Sequence, residues 1–290
     1  IHVDEISIKE LSGKILAVDS FNILYQFLTT IRQYDGQPLT NSKGKVTSHL
    51  SGIFFRTIKL MENNIKLVFV FDGKAPDLKN KERERRKALK DDAQRKYDLA
   101  VEQGDIELMR KYATRTTKLT TEMINEAKEL LNALGLPIIQ APSEGEAQAA
   151  YMAKKGDVYG LISQDTDGLL FESLRLIKNL SISARKKKGA TYVANEPEII
   201  DLSKNLNELG IDIDQLIIIS ILCGTDFNIG GVKGIGPKNA LKLVKKFGKD
   251  FDTLFSELEW SFDYPWQDVF DVIKNMKIID NYELKWNNID

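Results

Sequence analysis

Acidic residues follow the apolar runs of this chain in a recurring way. Two paired sets stand out: Glu144 and Glu146 in Ala141-Pro142-Ser143-Glu144-Gly145-Glu146-Ala147, and Asp165 and Asp167 in Ser163-Gln164-Asp165-Thr166-Asp167. Single acids close two more β-branched runs, Asp19 after Lys14-Ile15-Leu16-Ala17-Val18 and Asp72 after Lys66-Leu67-Val68-Phe69-Val70-Phe71. A seventh, Asp226, follows an apolar segment that ends at Gly224. In an open parallel α/β sheet, residues just beyond the strand carboxyl ends converge on one crevice. That much negative charge in one place is costly unless a cation neutralises it. Oxygen ligands with few His or Cys nearby favour a hard ion, Mg²⁺ or Mn²⁺. Two such ions about 3.5–4 Å apart can stabilise both the attacking and the leaving oxygen of an in-line phosphodiester displacement. A nearby cation such as Lys79 or Arg86 would stabilise charge developing on the phosphate.

Each of these residues also has a plainer reading. Ser143-x-x-Glu146 matches a capping box with Ser143 as N-cap, and Glu144 in a first turn favours the helix dipole. Asp165-x-Asp167 leaves one face of the chain if the strand continues extended, but such a pair after a strand is often only a turn. Lys79 and Arg86, seven apart, share one helix face and could look back at the acids if the helix starts near Pro76; they could equally be surface charges.

The elements that must position these groups alternate. Residues 14–18, 66–71, 136–140, 157–163 and 174–180 read as strands, with amphipathic helices over about 20–31, 47–62 and 121–134. The β-α-α-β order predicts a mostly parallel central sheet flanked by helices, an α/β fold. Between Lys74 and about residue 120 the helical pattern lacks a strong apolar stripe, which predicts an insertion projecting from the core. Helices are expected over 197–209 and 214–222, after a basic loop Arg185-Lys186-Lys187-Lys188-Gly189. The glycine-rich turn Gly230-Gly231-Val232-Lys233-Gly234-Ile235-Gly236-Pro237-Lys238 leads into a helix over 239–247. Its glycines and helix start could present backbone N–H groups to a phosphate, with Lys233, Lys238 and Lys242 around it, or could simply require left-handed glycines. Pro237 stands where a Walker A loop needs lysine.

At 290 residues with 42% apolar content, the chain suits one α/β domain with insertions and a substantial core. The net charge of −1 hides an asymmetry. Residues 74–96 hold ten Lys/Arg against five acids, 233–249 hold six Lys and no acid, and 250–290 hold ten acids against three Lys. Separate basic blocks on a near-neutral chain suit phosphate binding, although solvated helix faces look the same. The single cysteine, Cys223, excludes an intrachain disulfide, and two histidines, His2 and His49, are too few for an ordinary zinc site and argue against a Ser-His-Asp triad. Without a membrane-span or signal-peptide pattern, an intracellular protein is expected.

Several motifs together resemble one family. Val70-Phe71-Asp72-Gly73-Lys74-x-Pro76, Ala141-Pro142-Ser143-Glu144-Gly145-Glu146-Ala147-Gln148-Ala149, Ser163-Gln164-Asp165-x-Asp167 and Gly224-Thr225-Asp226-Phe227-Asn228…Gly234-Ile235-Gly236-Pro237-Lys238 are similar in order and spacing to the flap endonucleases, especially archaeal members. The resemblance runs from about residue 13 to 286. It implies a single structure-specific 5′ nuclease domain that cuts 5′-flap DNA near single-/double-strand junctions, in Okazaki-fragment maturation and base-excision repair. It also implies metal ligation at Asp19, Asp72, Glu144, Glu146, Asp165, Asp167 and Asp226, with two Mg²⁺ (Mn²⁺ as a substitute). Asp72, Glu144 and Glu146 would lie mainly around one ion and Asp165 and Asp167 around the other, with Asp19 and Asp226 acting largely through water. Lys79 and Arg86 match the family's basic catalytic pair, and Tyr25 matches its stacking aromatic. Residues 74–120 correspond to a helical arch. Residues 214–247 correspond to a helix-two-turn-helix holding duplex DNA, usually with K⁺, through Lys233, Gly234, Gly236, Lys238 and Lys242.

The sequence as given has no counterpart of the family's Met-Gly start before Ile1. It stops at Asp290, short of the usual carboxyl-terminal region and the sliding-clamp-binding peptide. Clamp binding is therefore expected of the intact protein only. A monomer is expected, in cytoplasm and nucleoid for an archaeon or nucleus for a eukaryote. A related 5′ exonuclease, an excision-repair incision nuclease (which carries a much longer arch insert) and a non-catalytic DNA-structure-binding protein are the competing readings.

Overall fold

The computed structural model describes residues 1–180, 185–188, 191–194 and 196–290. Its first half runs β1 (Asp4–Glu5), β2 (Ile15–Asp19), α1 (Ser20–Thr30), α2 (Ser48–Glu62), β3 (Lys66–Phe71), α3 (Asn80–Gln103), α4 (Ile106–Ala113), α5 (Thr121–Ala133), β4 (Ile138–Gln140) and α6 (Gly145–Lys155). There follow β5 (Gly160–Ile162), β6 (Arg175–Lys178), β7 (Arg185–Lys188), β8 (Thr191–Ala194), β9 (Glu198–Asp201), α7 (Leu202–Leu209), α8 (Ile213–Cys223), α9 (Pro237–Phe247), α10 (Phe251–Ser256) and α11 (Trp266–Lys274).

One seven-stranded sheet has the order β1-β9-β6-β5-β2-β3-β4. The strands β6, β5, β2, β3 and β4 are mutually parallel, and β9 and β1 add antiparallel pairs at one edge. From β2 the chain moves outward to β3 and β4, then returns to the other side of β2 for β5. The strand order therefore reverses at β2/β5, the place where open α/β sheets form their crevice. Both faces are covered, and side-chain alternation divides the strand residues between them. Leu16, Val18, Leu67, Phe69, Phe71, Ile162 and Ile177 pack on one face with α1, α2 and α5. Ala17, Val68, Val70, Leu161 and Leu176 pack on the other with Ala149, Met152 and Ala153 of α6. A third cluster lies among α8, α9, α10 and α11.

Helix α3 differs from these. It packs on α4 and buries only Glu82, Ala93 and Ala100 along its 24 residues. After α11 the chain has no regular structure, yet it binds the sheet layers as a strap. Gln148 of α6, fully buried, donates to Ile279 O (2.9 Å) and accepts from Ile279 N (2.8 Å). Trp286 Nε1 donates to Leu67 O at 3.1 Å, and Asn287 N donates to Gly135 O at 2.9 Å.

Three expectations are corrected. The helix expected over 197–209 is a strand followed by a helix: Glu198–Asp201 pairs with β6, and the Asp201 side chain then caps α7 by accepting from Lys204 N at 3.0 Å. The basic segment read as a loop contains a strand, Arg185–Lys188, paired antiparallel with Thr191–Ala194; its Gly189 lies outside the described residues. After β5 the chain does not stay extended. It bends and enters a 3-10 turn at Asp167–Leu169, so the shared face of Asp165 and Asp167 does not come from strand geometry. No helix among the described residues is long and apolar enough to cross a membrane.

Candidate active site

Each acid is fixed by the element end on which it sits. Asp19 is both the last residue of β2 and the N-cap of α1, where Oδ1 accepts from Asn22 N at 3.0 Å. Its Oδ2 accepts from Ser163 Oγ at 3.2 Å, and the same hydroxyl accepts from Asp165 N at 3.2 Å. One buried serine after β5 thus joins the two halves of the acidic floor. Asp72 follows β3 directly, and its Oδ1 accepts from Gly145 N at 2.7 Å. The first N–H of α6 therefore rests on Asp72, a charge-dipole contact of the kind helix N-termini favour. A Cβ at residue 145 would stand 2.7 Å from Asp72 Oδ1, so any larger residue there would have to push the carboxylate aside.

The capping box expected at Ser143-x-x-Glu146 is not formed. The N-cap is Glu144, without a side-chain cap, and Ser143 Oγ instead donates to Lys74 O at 3.1 Å. Glu146 sits in the first turn of α6 with its Oε1 buried and without a hydrogen-bond partner. Asp226 lies just past α8 in a loop tied by Asn228, whose fully buried amide accepts from Thr225 Oγ1 (2.7 Å) and donates to Ile221 O (2.7 Å).

All seven acids line one cleft of about 840 Å³, together with Tyr25, Lys79 and Arg86. Lys79, at the end of the turn Asp77–Lys79 preceding α3, reaches back to Glu144 Oε2 (2.8 Å) and Asp226 Oδ2 (3.2 Å). Arg86, two turns along α3, gives its Nη2 to Asp226 Oδ1 at 2.7 Å. Lys90 continues that stripe, with Nζ 3.2 Å from Tyr25 OH and 4.8 Å above the Tyr25 ring. The residues 79, 83, 86 and 90 all line the cleft at helical spacing. That period was the signal that would have added Arg83 and Lys90 to the two cations singled out from sequence. Ser163 and Asn228 carried no comparable signal, since their roles depend on loops meeting in space.

Burial and crowding push four of these acids, Asp19, Asp72, Glu146 and Asp167, toward their neutral forms. Burial first, then the Asp72 charge, raises the Asp19 carboxyl to about 7. Burial and Glu144 raise Asp72 to about 6, and burial followed by Asp165 and Asp226 raises Asp167 to about 6. Glu146 is pushed well above its ordinary value by burial, then by Asp19 and Asp167. Lys79 moves the other way: burial works against its charge, but Glu144 and Asp226 outweigh that and stabilise the ammonium. No group of three or more His, Cys, Asp or Glu among the described residues is closed up as a ready metal cage. The donor set nonetheless fits a hard divalent cation, being all carboxylate, mutually repelling, and holding one buried oxygen without a partner.

The five residues named for DNA contact lie elsewhere, Lys233, Gly234 and Gly236 in the turn between α8 and α9 and Lys238 and Lys242 on α9 itself, and none lines the cleft. Gly231 there has φ +60°, and a Cβ would meet Leu222 O at 2.4 Å, so the turn folds tightly onto the end of α8. Gly234 is also left-handed at φ +80°, whereas Gly236 is extended and serves as the N-cap of α9. Lys233, Lys238 and Lys242 are exposed.

The fold and cleft define a class that comparison with known proteins sharpens. Residues 1–93 match the family model described as XPG N-terminal domain, and residues 135–226 match XPG I-region. The chain is 51% identical to flap endonuclease 1 of Ignicoccus hospitalis, covering 98% of this chain and 81% of that protein. It is 50% identical to flap endonuclease 1 of Aeropyrum pernix, covering 99% and 83%. Among solved structures, flap endonuclease-1 from Methanococcus jannaschii aligns with a TM-score of 0.76 at 44% identity, over 99% of this chain and 86% of that one. The catalytic core of Rad2 in complex with DNA substrate aligns at 0.73 and 27% identity, over 99% and 88%. The chain belongs to the flap endonuclease family of structure-specific 5′ nucleases.

Proposed function

We propose that this chain hydrolyses a phosphodiester of branched DNA carrying a 5′ flap, near the single-/double-strand junction, in a reaction that requires divalent metal. The observation that carries this reading is the convergence of seven carboxylates from separate element ends on one cleft whose opposite wall is lined with lysine and arginine. Asp72, Glu144 and Glu146 would hold one cation and Asp165 and Asp167 a second, with Asp19 and Asp226 acting through water. When bound, two Mg²⁺ (or Mn²⁺) supply Lewis-acid stabilisation to the reacting phosphate oxygens.

The remaining work falls to the chain's own groups. Lys79 and Arg86 would leave their carboxylate partners for the scissile phosphate and stabilise the charge that develops on it. Tyr25, at the cleft wall, would stack on the nucleotide next to the cut, an interaction worth about 1–3 kcal/mol per base. Helices α3 and α4 would form an arch over the entering single strand. The turn between α8 and α9 together with α9 would grip duplex phosphates through Lys233, Lys238 and Lys242 and the backbone of Gly234 and Gly236, with K⁺ as its ion. Family membership supports roles in Okazaki-fragment maturation and base-excision repair, and a sliding clamp as partner.

Incubation with a labelled 5′-flap duplex tests the reading. Release of an intact flap in Mg²⁺, abolished by EDTA and restored by excess Mg²⁺, is the expected result. Undiminished cleavage in EDTA would remove the metal, and binding without cleavage under any metal would leave only a DNA-structure-binding protein. A ladder of mononucleotides would make the chain an exonuclease.

A further inference from the structure

Glu82 is the one buried carboxylate of α3, only 3% exposed on a helix whose other charged residues face solvent or the cleft. Both of its oxygens are occupied by guanidinium groups. Oε2 accepts from Arg85 Nε at 2.7 Å, while Oε1 accepts from Arg85 Nη2 at 2.8 Å and from Arg86 Nε at 2.6 Å. Arg86 is thereby gripped along its Nε edge. The fork is planar and rigid, so fixing that edge also fixes where the far nitrogens point. Arg86 Nη2 points at Asp226 Oδ1, 2.7 Å away across the mouth of the cleft. Arg86 itself is half-exposed and sits on a helix with little core to hold it. Without Glu82, the bond to Asp226 alone would hold its long side chain, which could then sample more rotamers.

We infer that Glu82 is a positioning residue for the nuclease reaction: it holds Arg86 in advance in the orientation that serves the scissile phosphate. The inference rests on the role of Arg86 proposed above. A second duty is available to Glu82, because an acid in a first helical turn also favours the helix dipole. The two duties predict different results. A helix-start role concerns folding of α3 and acts with or without Arg86, whereas a positioning role vanishes once Arg86 is gone.

The test is a double-mutant cycle of single-turnover cleavage on a 5′-flap duplex in Mg²⁺, with flap-DNA affinity measured in parallel in Ca²⁺. Glu82→Gln keeps the shape and suits a helix start, but removes the charge that orients the guanidinium. It is expected to slow cleavage about tenfold, less than the roughly hundredfold that a 1 Å misplacement of a catalytic group can bring, with affinity within about twofold of the parent. Glu84→Gln, an exposed neighbour on the same helix that alters net charge equally, should leave the rate unchanged. Arg86→Ala should be slower than Glu82→Gln, and the double variant no slower than Arg86→Ala alone. A parental rate for Glu82→Gln beside a slow Arg86→Ala overturns the positioning role only. Fully additive losses overturn it too, by assigning Glu82 to α3 folding. A parental rate for Arg86→Ala overturns the Arg86 role and this inference together.

Discussion

The acidic floor of the cleft stands on strand ends whose neighbours are almost wholly buried, whereas its basic wall rides on α3, which buries three of its 24 residues. Leu16, Ala17, Val18, Val70 and Phe71 are at most 1% exposed, and they lead directly into Asp19 and Asp72. Mutually repelling carboxylates need such a foundation, since nothing in their own interactions would keep them together. The wall needs the opposite. Under the proposed function a single strand would enter beneath it, and segments that move are drawn from the part of a fold with few buried contacts. The order of the floor comes from the core, and the order of the wall comes from ion pairs, with the floor and, through Glu82, within α3 itself.

Four experiments sharpen or break that contrast. The largest effect is expected in the floor: Asp165→Ala should lower the cleavage rate on the order of a thousandfold while leaving flap-DNA affinity nearly intact, since phosphate contacts elsewhere supply most of the binding. Full cleavage by that variant would remove Asp165 from the site. Next comes the foundation. Phe69→Ala, under the floor at 1% exposure, should cost about 3–5 kcal/mol of folding stability in denaturant melts, and Leu89→Ala, 55% exposed on α3, within about 0.5 kcal/mol. Equal losses would mean that the wall is packed as tightly as the floor.

The third concerns pH. The ordinary value near 3.8 for Asp19, Asp72 and Asp167 is raised in the folded chain to about 7, 6 and 6. Folded protein therefore binds more protons than unfolded chain between about pH 4 and 7. Their stabilising contribution is full below that window and is lost as pH rises through it. In EDTA, the Tm should fall between pH 5.5 and 8, and millimolar Mg²⁺ should raise it by more at pH 8 than at pH 5.5. A Mg²⁺ effect independent of pH would contradict the crowded carboxylates. The smallest effect lies outside the cleft: Lys238→Ala should weaken flap-DNA binding modestly and reduce its salt slope by about one phosphate, leaving single-turnover cleavage of bound DNA unchanged. An unaltered slope would deny the contact.

The same contrast governs what could be read from the residues. The floor was legible because Asp19 and Asp72 close β-branched runs and the other acids lie shortly after apolar segments, and strand ends of a parallel sheet meet by topology. The wall was half legible. Lys79 and Arg86 were visible as a pair, but Glu82 was not, although its spacing to Arg85 and Arg86 is that of helix ion pairs. In a helix so rich in charge, only burial distinguishes one acid from the rest. Short edge elements were lost for another reason. Residues 197–209 carry apolar side chains at 199, 200, 202 and 206, which suit a helical period, and nothing local shows that Glu198–Asp201 pairs with β6. Ser143 looked like a cap because the cap rule knows nothing of Asp72, whose carboxylate takes the first N–H of α6 instead.

The strap that follows α11 ties distant parts of the molecule into one mechanical unit. Trp286 is pinned to the entry end of β3, the strand whose exit end presents Asp72, and Ile279 clasps the helix that carries Glu146. Proteolytic trimming of these last residues would therefore be felt along β3 and α6, as slack in the two carboxylates those elements carry.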